Sequence, residues 1–330
     1  MSQKRMSPKQ SDLYQPDGSK EPSAVRHFNR RGMISSFIGA PMLLLPRRGR
    51  SAKQTRITLL HTNDTHSRME PFAKGKFKGR AGVAKRASLV SAIRKANPNT
   101  LLLDAGDTFQ GTPYFNQFLG KLDIQMMAAL GYDAVTLGNH DFDAGVQQLA
   151  QNLQYRERTQ FISSNFSIGE SCPISGLVQR HTMFTLGEVR VGIFGLGIAF
   201  HGLVNPKLHQ GVSYQDPREA AQREVSALRE KGCDLIVALS HLGYKGYRGE
   251  VGDLDWPKHV PGVHYVVGGH THTFLRHPTV VSHPSGWETL VMQVGHSGLN
   301  LGHAELLVDS RGQVDARAVS PLGVGGSALA

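Results

Sequence analysis

Five short polar stretches, each directly following an apolar run, constrain the fold of this chain more than any other feature of its sequence. The apolar runs have the length and composition of buried β-strands, and segments with helical spacing separate them. This alternation predicts an α/β protein with a largely buried mixed sheet, in which loops at the carboxyl ends of strands share one edge. The polar stretches are Asp64-Thr65-His66, Gly106-Asp107, Gly138-Asn139-His140-Asp141, His241, and Gly269-His270-Thr271-His272.

Hydrophobic spacing places the predicted elements along the chain. Helices are expected at residues 84–96, 122–130, 146–153 and 217–230, the last with Asp216 as its N-cap. Strands are expected at residues 57–60, 100–103, 134–137, 161–163, 189–196, 235–239 and 264–267, followed by antiparallel strands after residue 278. We therefore assign one globular domain to residues 53–315 and a flexible tail to residues 316–330.

The net charge of the chain is unevenly distributed. Of the formal +11, residues 1–56 contribute twelve basic against three acidic side chains, whereas residues 57–330 contribute 25 against 23. A large basic excess is typical of proteins that bind nucleic acid or membranes. Because the excess lies near the amino terminus, we expect no nucleic-acid partner for the folded part of the chain.

The amino-terminal segment has the features of an export signal. Residues 1–25 are polar and are expected to be disordered. Arg30 and Arg31 precede a modestly apolar stretch, residues 33–45, that is too short to span a bilayer. Residues 1–52 thus resemble a disordered basic segment with a twin-arginine signal peptide, which predicts a periplasmic or extracellular protein. No cysteine follows the apolar stretch, so no stable membrane anchor is expected; the alternative is an uncleaved basic tail.

The chain contains two cysteines, Cys172 and Cys233, and neither lies beside a candidate metal ligand. Thiolate metal sites and CxxC redox motifs are therefore excluded. We expect two free and mostly buried thiols, although a single disulfide would be compatible with export to an oxidising compartment.

The residue types in the five stretches are those that divalent metals bind. Carboxylate, imidazole and amide groups arriving from separate loops suit a pair of hard-to-borderline cations. Asp64 and His66, two residues apart on an extended segment, are expected to point to one side and hold one ion together. Each stretch alone is also compatible with a turn, a helix cap or a surface histidine. Their joint occurrence at five strand ends favours a two-metal site.

His140 and Asp143 accompany the candidate ligand Asn139 but are not needed to hold a metal. We interpret His140 as a catalytic residue that faces the substrate, and Asp143 as the group that orients its imidazole. Asp143 is also well placed to be the N-cap of the helix that follows. The two roles are compatible with each other.

The order of these motifs resembles the calcineurin-like metallophosphoesterase superfamily. In finer detail it resembles the amino-terminal catalytic domain of the 5′-nucleotidase and UDP-sugar hydrolase family. The resemblance covers about residues 56–310 and implies a four-layer α/β/β/α sandwich with two mostly mixed β-sheets flanked by helices. The segments that carry it are residues 60–67, 104–107, 136–143, 240–243, 267–275 and 293–295.

The resemblance also implies which residues hold each metal. The first metal would be held by Asp64, His66, Asp107 and His272, and the second by Asp107, Asn139, His241 and His270. Asp107 would bridge the two ions. His272 stands where close family members often have Gln or Asn, so the resemblance implies a softer site that tolerates Zn²⁺, Mn²⁺ or Fe²⁺.

The implied activity is hydrolysis of a phosphate ester, most simply a 5′-nucleotidase reaction in nucleotide catabolism. A hydroxide bridging the two metals would attack phosphorus in line, while His140 stabilises charge or protonates the leaving oxygen. Family members usually carry a second, carboxy-terminal domain with an aromatic clamp for the nucleobase. Several expectations therefore stay open: a single-domain hydrolase of nucleotides or small phosphate esters, a UDP-sugar or cyclic-nucleotide phosphodiesterase, a subunit that works with a separately encoded substrate domain, and a non-enzymatic metal-binding module.

Overall fold

The computed structural model of the chain describes residues 54–329, so the predicted disordered segment and export signal lie outside the described residues. The helices are α1 (Val83–Ala96), α2 (Pro113–Phe118), α3 (Lys121–Leu130), α4 (Gly145–Leu153) and α5 (Pro217–Glu230). The strands are β1 (Gln54–Thr62), β2 (Thr100–Asp104), β3 (Ala134–Thr136), β4 (Gln160–Ile162), β5 (Phe166–Ile168), β6 (His181–Leu186), β7 (Val189–Leu196), β8 (Val212–Tyr214), β9 (Leu235–Ser240), β10 (Tyr265–Gly268), β11 (Thr279–Ser282), β12 (Glu288–Met292), β13 (Asn300–Asp309) and β14 (Val314–Gly323).

Two six-stranded mixed sheets form the centre of the fold. The first has the order β14-β13-β1-β2-β3-β4, and the second has the order β11-β12-β10-β9-β7-β6. In the first sheet β1 to β4 are mutually parallel, and β13 is antiparallel to its neighbours β1 and β14, so that β14 runs in the same direction as β1 to β4. In the second sheet β7, β9, β10 and β12 are mutually parallel, and the edge strands β6 and β11 are antiparallel to their neighbours. A short third sheet pairs β5 with β8.

The two large sheets pack face to face, and helices cover their outer faces. Buried side chains of both sheets, among them Leu59, Leu103, Val191 and Val237, form the core between them. A second core packs α1, α3 and α4 against the first sheet, and a third packs α5 against the second sheet. The four-layer α/β/β/α arrangement is therefore confirmed. Each large sheet is covered on one face by the other sheet and on the other face by helices. This burial on both faces explains why the sequences of the parallel strands are continuous apolar runs.

The predicted helices and strands are present with boundaries that differ by few residues. Asp216 caps α5 as expected, because its side chain accepts hydrogen bonds from the backbone N–H groups of Arg218 and Glu219. The region after residue 278 is only partly antiparallel, since β12 pairs in parallel with β10. The pattern missed α2, the edge strand β6 and the short strands β5 and β8. The strands β5 and β8 have only three residues each, too few for a hydrophobic period to register.

The flexible tail predicted for residues 316–330 is wrong over its first part. Residues up to Gly323 form β14, which pairs with β13 along its whole length, and Val324 is fully buried. The domain therefore extends beyond residue 315. The alternation of apolar and polar residues in β14 is weak and interrupted by Pro321, which is tolerated because this strand lies at the edge of its sheet.

Cys172 and Cys233 are both free and buried, as expected. Among the helices in the described part of the chain, none is long and apolar enough to cross a membrane.

Candidate metal centre

The five polar stretches follow β1, β2, β3, β9 and β10, at the carboxyl ends of parallel strands in both sheets. Because the two sheets are packed face to face, the loops from one sheet meet the loops from the other at a common edge. Six of the predicted ligands form two groups in which the potential ligand atoms lie within 4.8 Å of one another.

The first group consists of Asp64, His66 and His272. Asp64 Oδ1 lies 3.3 Å from His272 Nε2 and 3.9 Å from His66 Nε2, and the two imidazole nitrogens are 3.0 Å apart. Asp64 is fully buried, whereas both histidines are partly exposed. Two imidazoles and one carboxylate thus converge on a position that solvent and substrate can reach.

The second group consists of Asp107, His241 and His270. Asp107 Oδ2 lies 3.0 Å from His241 Nε2, and both side chains are buried. The groups adjoin, because Asp64 Oδ1 is 4.0 Å from His241 Nε2. Asp107 falls in the second group, so the expectation that its carboxylate bridges two ions stays a prediction.

The backbone at the ligands is not extended, contrary to the expectation for Asp64 and His66. Asp64, His66, His270 and His272 all have left-handed backbone dihedrals, with φ between 49° and 70°. Asp64 and His66 still reach the same group, whereas His270 and His272 supply different groups. Asp107 shares this conformation, with φ 55°. Non-glycine residues rarely adopt it, and its concentration at five candidate ligands is typical of a functional site.

Hydrogen bonds to the backbone orient two of the imidazoles. His241 Nδ1 donates to the carbonyl oxygen of Ala105 at 2.6 Å, and His66 Nδ1 donates to that of Phe109 at 3.1 Å. A proton on Nδ1 leaves the lone pair of Nε2 available for a metal, and such outer contacts are usual for histidine ligands.

Two glycines allow the ligand loops to approach one another. A Cβ atom on Gly138 would lie 2.2 Å from Asp107 Oδ1 and 2.7 Å from His241 Nε2. A Cβ atom on Gly269 would lie 2.8 Å from both His241 Nδ1 and the carbonyl oxygen of Ala105. Both positions therefore exclude any larger side chain, and the close approach of the loops depends on glycine there.

Asn139 provides an independent test of whether a metal fits the second group. Its Oδ1 atom is buried and has no hydrogen-bond partner, and His241 Nε2 likewise makes no hydrogen bond of acceptable geometry. A buried polar atom without a partner is costly, and a cation would satisfy both atoms. The donor set of carboxylate, imidazole and amide oxygen fits a divalent metal.

The electrostatics of the second group show how strongly its charges interact. Burial raises the pKa of Asp107, but attraction to His241 and then to His140 and His66 outweighs burial and holds it well below the usual value. Burial lowers the pKa of His241, but Asp107 and Asp64 outweigh burial and raise it to about 10. A cation can replace the proton on His241 as the partner of both carboxylates, since metal binding to such ligands releases protons.

His140 and Asp143 lie beside the groups and are hydrogen bonded to each other. His140 Nδ1 donates to Asp143 Oδ2 at 2.7 Å, and the ring of His140 lies 5.4 Å from that of His66. Burial lowers the pKa of His140, but the hydrogen bond to Asp143 and the charge of Asp107 raise it to about 8. The side chain of His140 is 35% exposed, so its Nε2 is accessible to a substrate.

The alternative role of Asp143 as a helix N-cap is wrong. The N-cap position of α4 is Ala144, and no side chain caps this helix. The carboxylate of Asp143 is instead directed to His140.

Asp141 joins the loop after β2, which carries Asp107, to the loop after β3, a role that was not predicted from the sequence. Its carboxylate accepts hydrogen bonds from the backbone N–H groups of Asp107, Thr108 and Gly138 at 2.8–3.0 Å, and from the Thr108 hydroxyl at 2.7 Å. The only indication of this role in the sequence is that Asp141 directly follows His140 in the third polar stretch.

Asn63 and Gln293 support the first group in a similar way. The Asn63 amide donates to Asp64 Oδ2 and to the carbonyl oxygen of Gly295, both at 2.6 Å. The side-chain amide of Gln293 accepts a hydrogen bond from Thr273 N and donates one to the carbonyl oxygen of Gly269. These two residues flank His270 and His272. Both side chains are buried, and both lie in the segments that carried the family resemblance.

Comparison with known proteins identifies the family. Residues 57–274 match the family model of the calcineurin-like phosphoesterases, and the chain belongs to that family. It is 36% identical to the 5′-nucleotidase of Bos taurus over 286 residues, which cover 80% of this chain and 48% of that protein. It is 35% identical to the 5′-nucleotidase of Homo sapiens over 288 residues, which cover 81% and 49%. The chain thus spans about half the length of these curated relatives.

Solved structures show the same relationship. A 5′-nucleotidase precursor from Thermus thermophilus superposes with a TM-score of 0.75 at 38% sequence identity, over 82% of this chain and 55% of that one. The calcineurin-like phosphoesterase YfkN from Bacillus subtilis superposes with a TM-score of 0.66 at 22% identity, over 84% of this chain and 93% of that one. At that identity the second likeness concerns the fold alone.

Proposed function

We propose that the protein is a dinuclear-metal-dependent hydrolase of phosphate esters, acting as a phosphomonoesterase on nucleotides like the 5′-nucleotidases it resembles. The observation that carries this proposal is the pair of adjoining ligand groups with the buried, unpartnered Asn139 Oδ1 beside them. Asp64, His66 and His272 would hold one divalent cation, and Asp107, Asn139, His241 and His270 the other. The donor set supports Zn²⁺, Mn²⁺ or Fe²⁺.

When bound, two such cations supply a nucleophile at neutral pH and neutralise the charge of the phosphoryl group. The chain's own residues do the rest. Asp64 and Asp107, both buried, keep the centre at fixed geometry. His140, held through Nδ1 by Asp143, has Nε2 free to stabilise the departing oxygen or to give it a proton.

A second candidate function is that of a catalytic subunit that works with a separately encoded substrate-binding domain. It is supported by the coverage of the relatives, of which the chain spans about half. UDP-sugars and cyclic nucleotides are the alternative substrates, because the same ligand set can serve a phosphodiester. These alternatives differ from the first proposal in substrate and not in the metal centre.

The test is a substrate panel with the metal-loaded protein: an aryl phosphate, 5′-AMP, a UDP-sugar and a cyclic nucleotide. We expect hydrolysis of the aryl phosphate and of 5′-AMP, and loss of both with a chelator. Preferred cleavage of the UDP-sugar or the cyclic nucleotide would favour the diesterase alternative. No turnover of any ester by protein carrying two ions per chain would overturn the enzymatic proposal.

We further propose export through a twin-arginine pathway, supported by the paired Arg30 and Arg31 ahead of the apolar stretch. Replacing both arginines by lysine should leave the precursor in the cytoplasm. Cell fractionation measures the location of the variant, and normal export would refute the proposal.

A further inference from the structure

A strongly basic loop lies at the surface of the domain, near the candidate metal centre. It comprises residues 72–80, Phe-Ala-Lys-Gly-Lys-Phe-Lys-Gly-Arg, and is called the basic loop below. With its flanks, residues 68–85, it contains six basic side chains and one acidic side chain, Glu70. The other residues between 57 and 330 contain 19 basic and 22 acidic side chains. The positive excess of the folded part is therefore concentrated in this one segment, and the near-neutral average over the domain conceals it.

The base of the basic loop is fixed to the domain. Its ends are joined by hydrogen bonds from Phe72 N to the carbonyl oxygen of Arg80 at 2.9 Å and from Gly79 N to that of Phe72 at 2.8 Å. The side chain of Lys85, in α1, donates to the carbonyl oxygen of Gly79, and that of Arg80 donates to the carbonyl oxygen of Ser327, after β14. The loop therefore has a defined position on the domain.

The tip of the basic loop projects into solvent. Lys74, Lys76 and Lys78 are exposed, and among residues 54–329 none of them forms an ion pair. A Cβ atom on Gly75 or on Gly79 would meet nothing within 4 Å, so no neighbouring segment covers the backbone there. Small ligands bind in concave sites, whereas a projecting basic tip fits a partner with an extended anionic surface.

Two aromatic rings lie among the cations of this segment. Phe72 and Phe77 are partly exposed, and their ring centroids are 5.6 Å apart. The guanidinium carbon of Arg68 lies 4.2 Å from the centroid of Phe72, and Lys76 Nζ lies 5.5 Å from that of Phe77. Phenylalanine rings next to basic side chains are typical of segments that bind at a membrane surface, where the rings enter the headgroup region and the cations contact anionic lipids.

The distribution of charge favours a lipid surface over a nucleic acid. A nucleic acid is usually contacted along an extended basic face, through roughly six to ten phosphates. Outside residues 68–85 the domain has an acidic excess, which repels a polyanion lying along it. A projecting tip can contact a lipid surface alone, because the attraction to anionic headgroups acts over only about 10 Å.

We propose that the basic loop binds an anionic lipid surface and holds the domain there reversibly. The proposal goes beyond the phosphoesterase function and does not depend on it. The ring centroid of His296 lies 6.3 Å from that of Phe77 and 5.0 Å from that of His272. Binding through the loop therefore places the first ligand group close to the lipid surface.

The first experiment measures cosedimentation of the full chain with vesicles of phosphatidylcholine and phosphatidylglycerol in equal amounts. Replacing Lys74, Lys76 and Lys78 together by glutamine should weaken binding about ten-fold or more, since each of these cations contributes near an anionic surface. The matched control replaces Lys95, Lys207 and Lys258, which are exposed sites outside the loop, and should bind like the wild type. Both variants should hydrolyse an aryl phosphate as the wild type does. An equal effect of the two variants on vesicle binding would overturn the proposal.

A second measurement reports on the loop itself, because residues 1–56 are also basic and are present in every variant. Cys172 and Cys233 are buried, so an environment-sensitive fluorophore can be attached selectively to Ala73→Cys in the exposed part of the loop. Its emission should shift to shorter wavelength with the anionic vesicles and return at high salt. The same fluorophore on Ala96→Cys, exposed at the end of α1, should not shift. No shift at Ala73→Cys, or equal shifts at both positions, would overturn the proposal.

Two further binding measurements separate the lipid surface from other partners. Vesicles of pure phosphatidylcholine should not bind the wild-type protein through the loop, because they carry no net charge. A short DNA duplex tests the nucleic-acid alternative. Tighter binding of the wild type to the duplex than to the anionic vesicles, lost in the loop variant, would assign the loop to nucleic acid and overturn the proposal.

Discussion

His140 Nδ1 lies 2.7 Å from Asp143 Oδ2, and this contact fixes the direction of the histidine ring at the edge of the candidate metal centre. The two residues are three apart in the chain and are joined by a 3₁₀ turn, His140–Phe142. Because Asp143 does not cap α4, its carboxylate is free to serve His140 alone. The hydrogen bond thus orients the His140 ring as the proposed catalytic role requires.

We predict that Asp143→Asn lowers kcat at least about ten-fold, and His140→Ala about 10²-fold or more, with the metal content unchanged. The amide cannot favour the charged imidazole as the carboxylate does. Steady-state kinetics together with metal analysis of the same samples check this. Unchanged turnover in His140→Ala would show that the residue is not catalytic.

Asp143→Ala additionally tests the rejected capping role when it is made and measured in a His140→Ala background, where the hydrogen bond between the two residues is already absent. Since no side chain caps α4, the free energy of unfolding should fall by less than about 0.5 kcal/mol, whereas loss of an N-cap costs about 1 kcal/mol. Urea denaturation of the metal-free protein gives this difference. A drop of the larger size would restore the capping interpretation.

Gly138→Ala should reduce metal affinity by at least about ten-fold, because the added methyl would meet Asp107 Oδ1 and His241 Nε2. Metal titration with a competing chelator measures the change. Gly169→Ala is the matched control, since its Cβ would meet only the carbonyl oxygen of Gly211 at 3.4 Å. Equal affinities for both variants would contradict the proposed closeness of the loops.

Asp141→Asn should weaken metal binding and lower the free energy of unfolding by about 1–3 kcal/mol. The amide nitrogen cannot accept the hydrogen bonds that the carboxylate receives from the backbone of Asp107 and Gly138. Asp309→Asn is a suitable comparison, because Asp309 also accepts backbone N–H groups but lies in a distant turn. Loss of metal in both variants alike would argue against a specific role for Asp141.

We predict that the free energy of unfolding depends on pH because of the buried side chain of His264. Burial and then the charge of Arg229 lower its pKa to about 3, whereas an unfolded histidine has a pKa of about 6.5. Between these values the unfolded chain binds an extra proton, so the free energy of unfolding falls as the pH falls below 6.5. The loss is about 2 kcal/mol between pH 7 and pH 5.

The variant His264→Asn should therefore show a shallower decrease over this range than the wild-type protein. Urea denaturation of both proteins without metal, at pH 7 and pH 5, measures the difference. Parallel curves for the two proteins would mean that His264 is protonated in the folded state.

Much of the fold could be predicted because long, uniformly buried elements carry a clear hydrophobic pattern. The strands β1, β9 and β10 are examples, and the loops after them supply ligands. The pattern failed at β14, where pairing with β13 and burial of Val324 stabilise a segment whose own composition suggests a tail. Such long-range pairing leaves no local trace in the sequence.

The candidate site could be predicted as a set of residues but not in its geometry. Motif order indicated which side chains converge, yet the left-handed backbone of Asp64 and His66 depends on contacts with loops far along the chain, such as the bond from Ser297 N to the carbonyl oxygen of Asp64 at 2.7 Å. The supporting roles of Asp141 and Gln293 likewise became visible only from their hydrogen bonds.

The most direct test of the account is the number of metal ions bound per chain, measured by elemental analysis after reconstitution and removal of free metal. The wild-type protein should bind two ions. His272→Ala should lose the ion of the first group, and His241→Ala that of the second, each leaving about one ion per chain. Fewer than one ion per wild-type chain would contradict the two-metal centre. One ion per wild-type chain that only one of the two variants loses would contradict it as well.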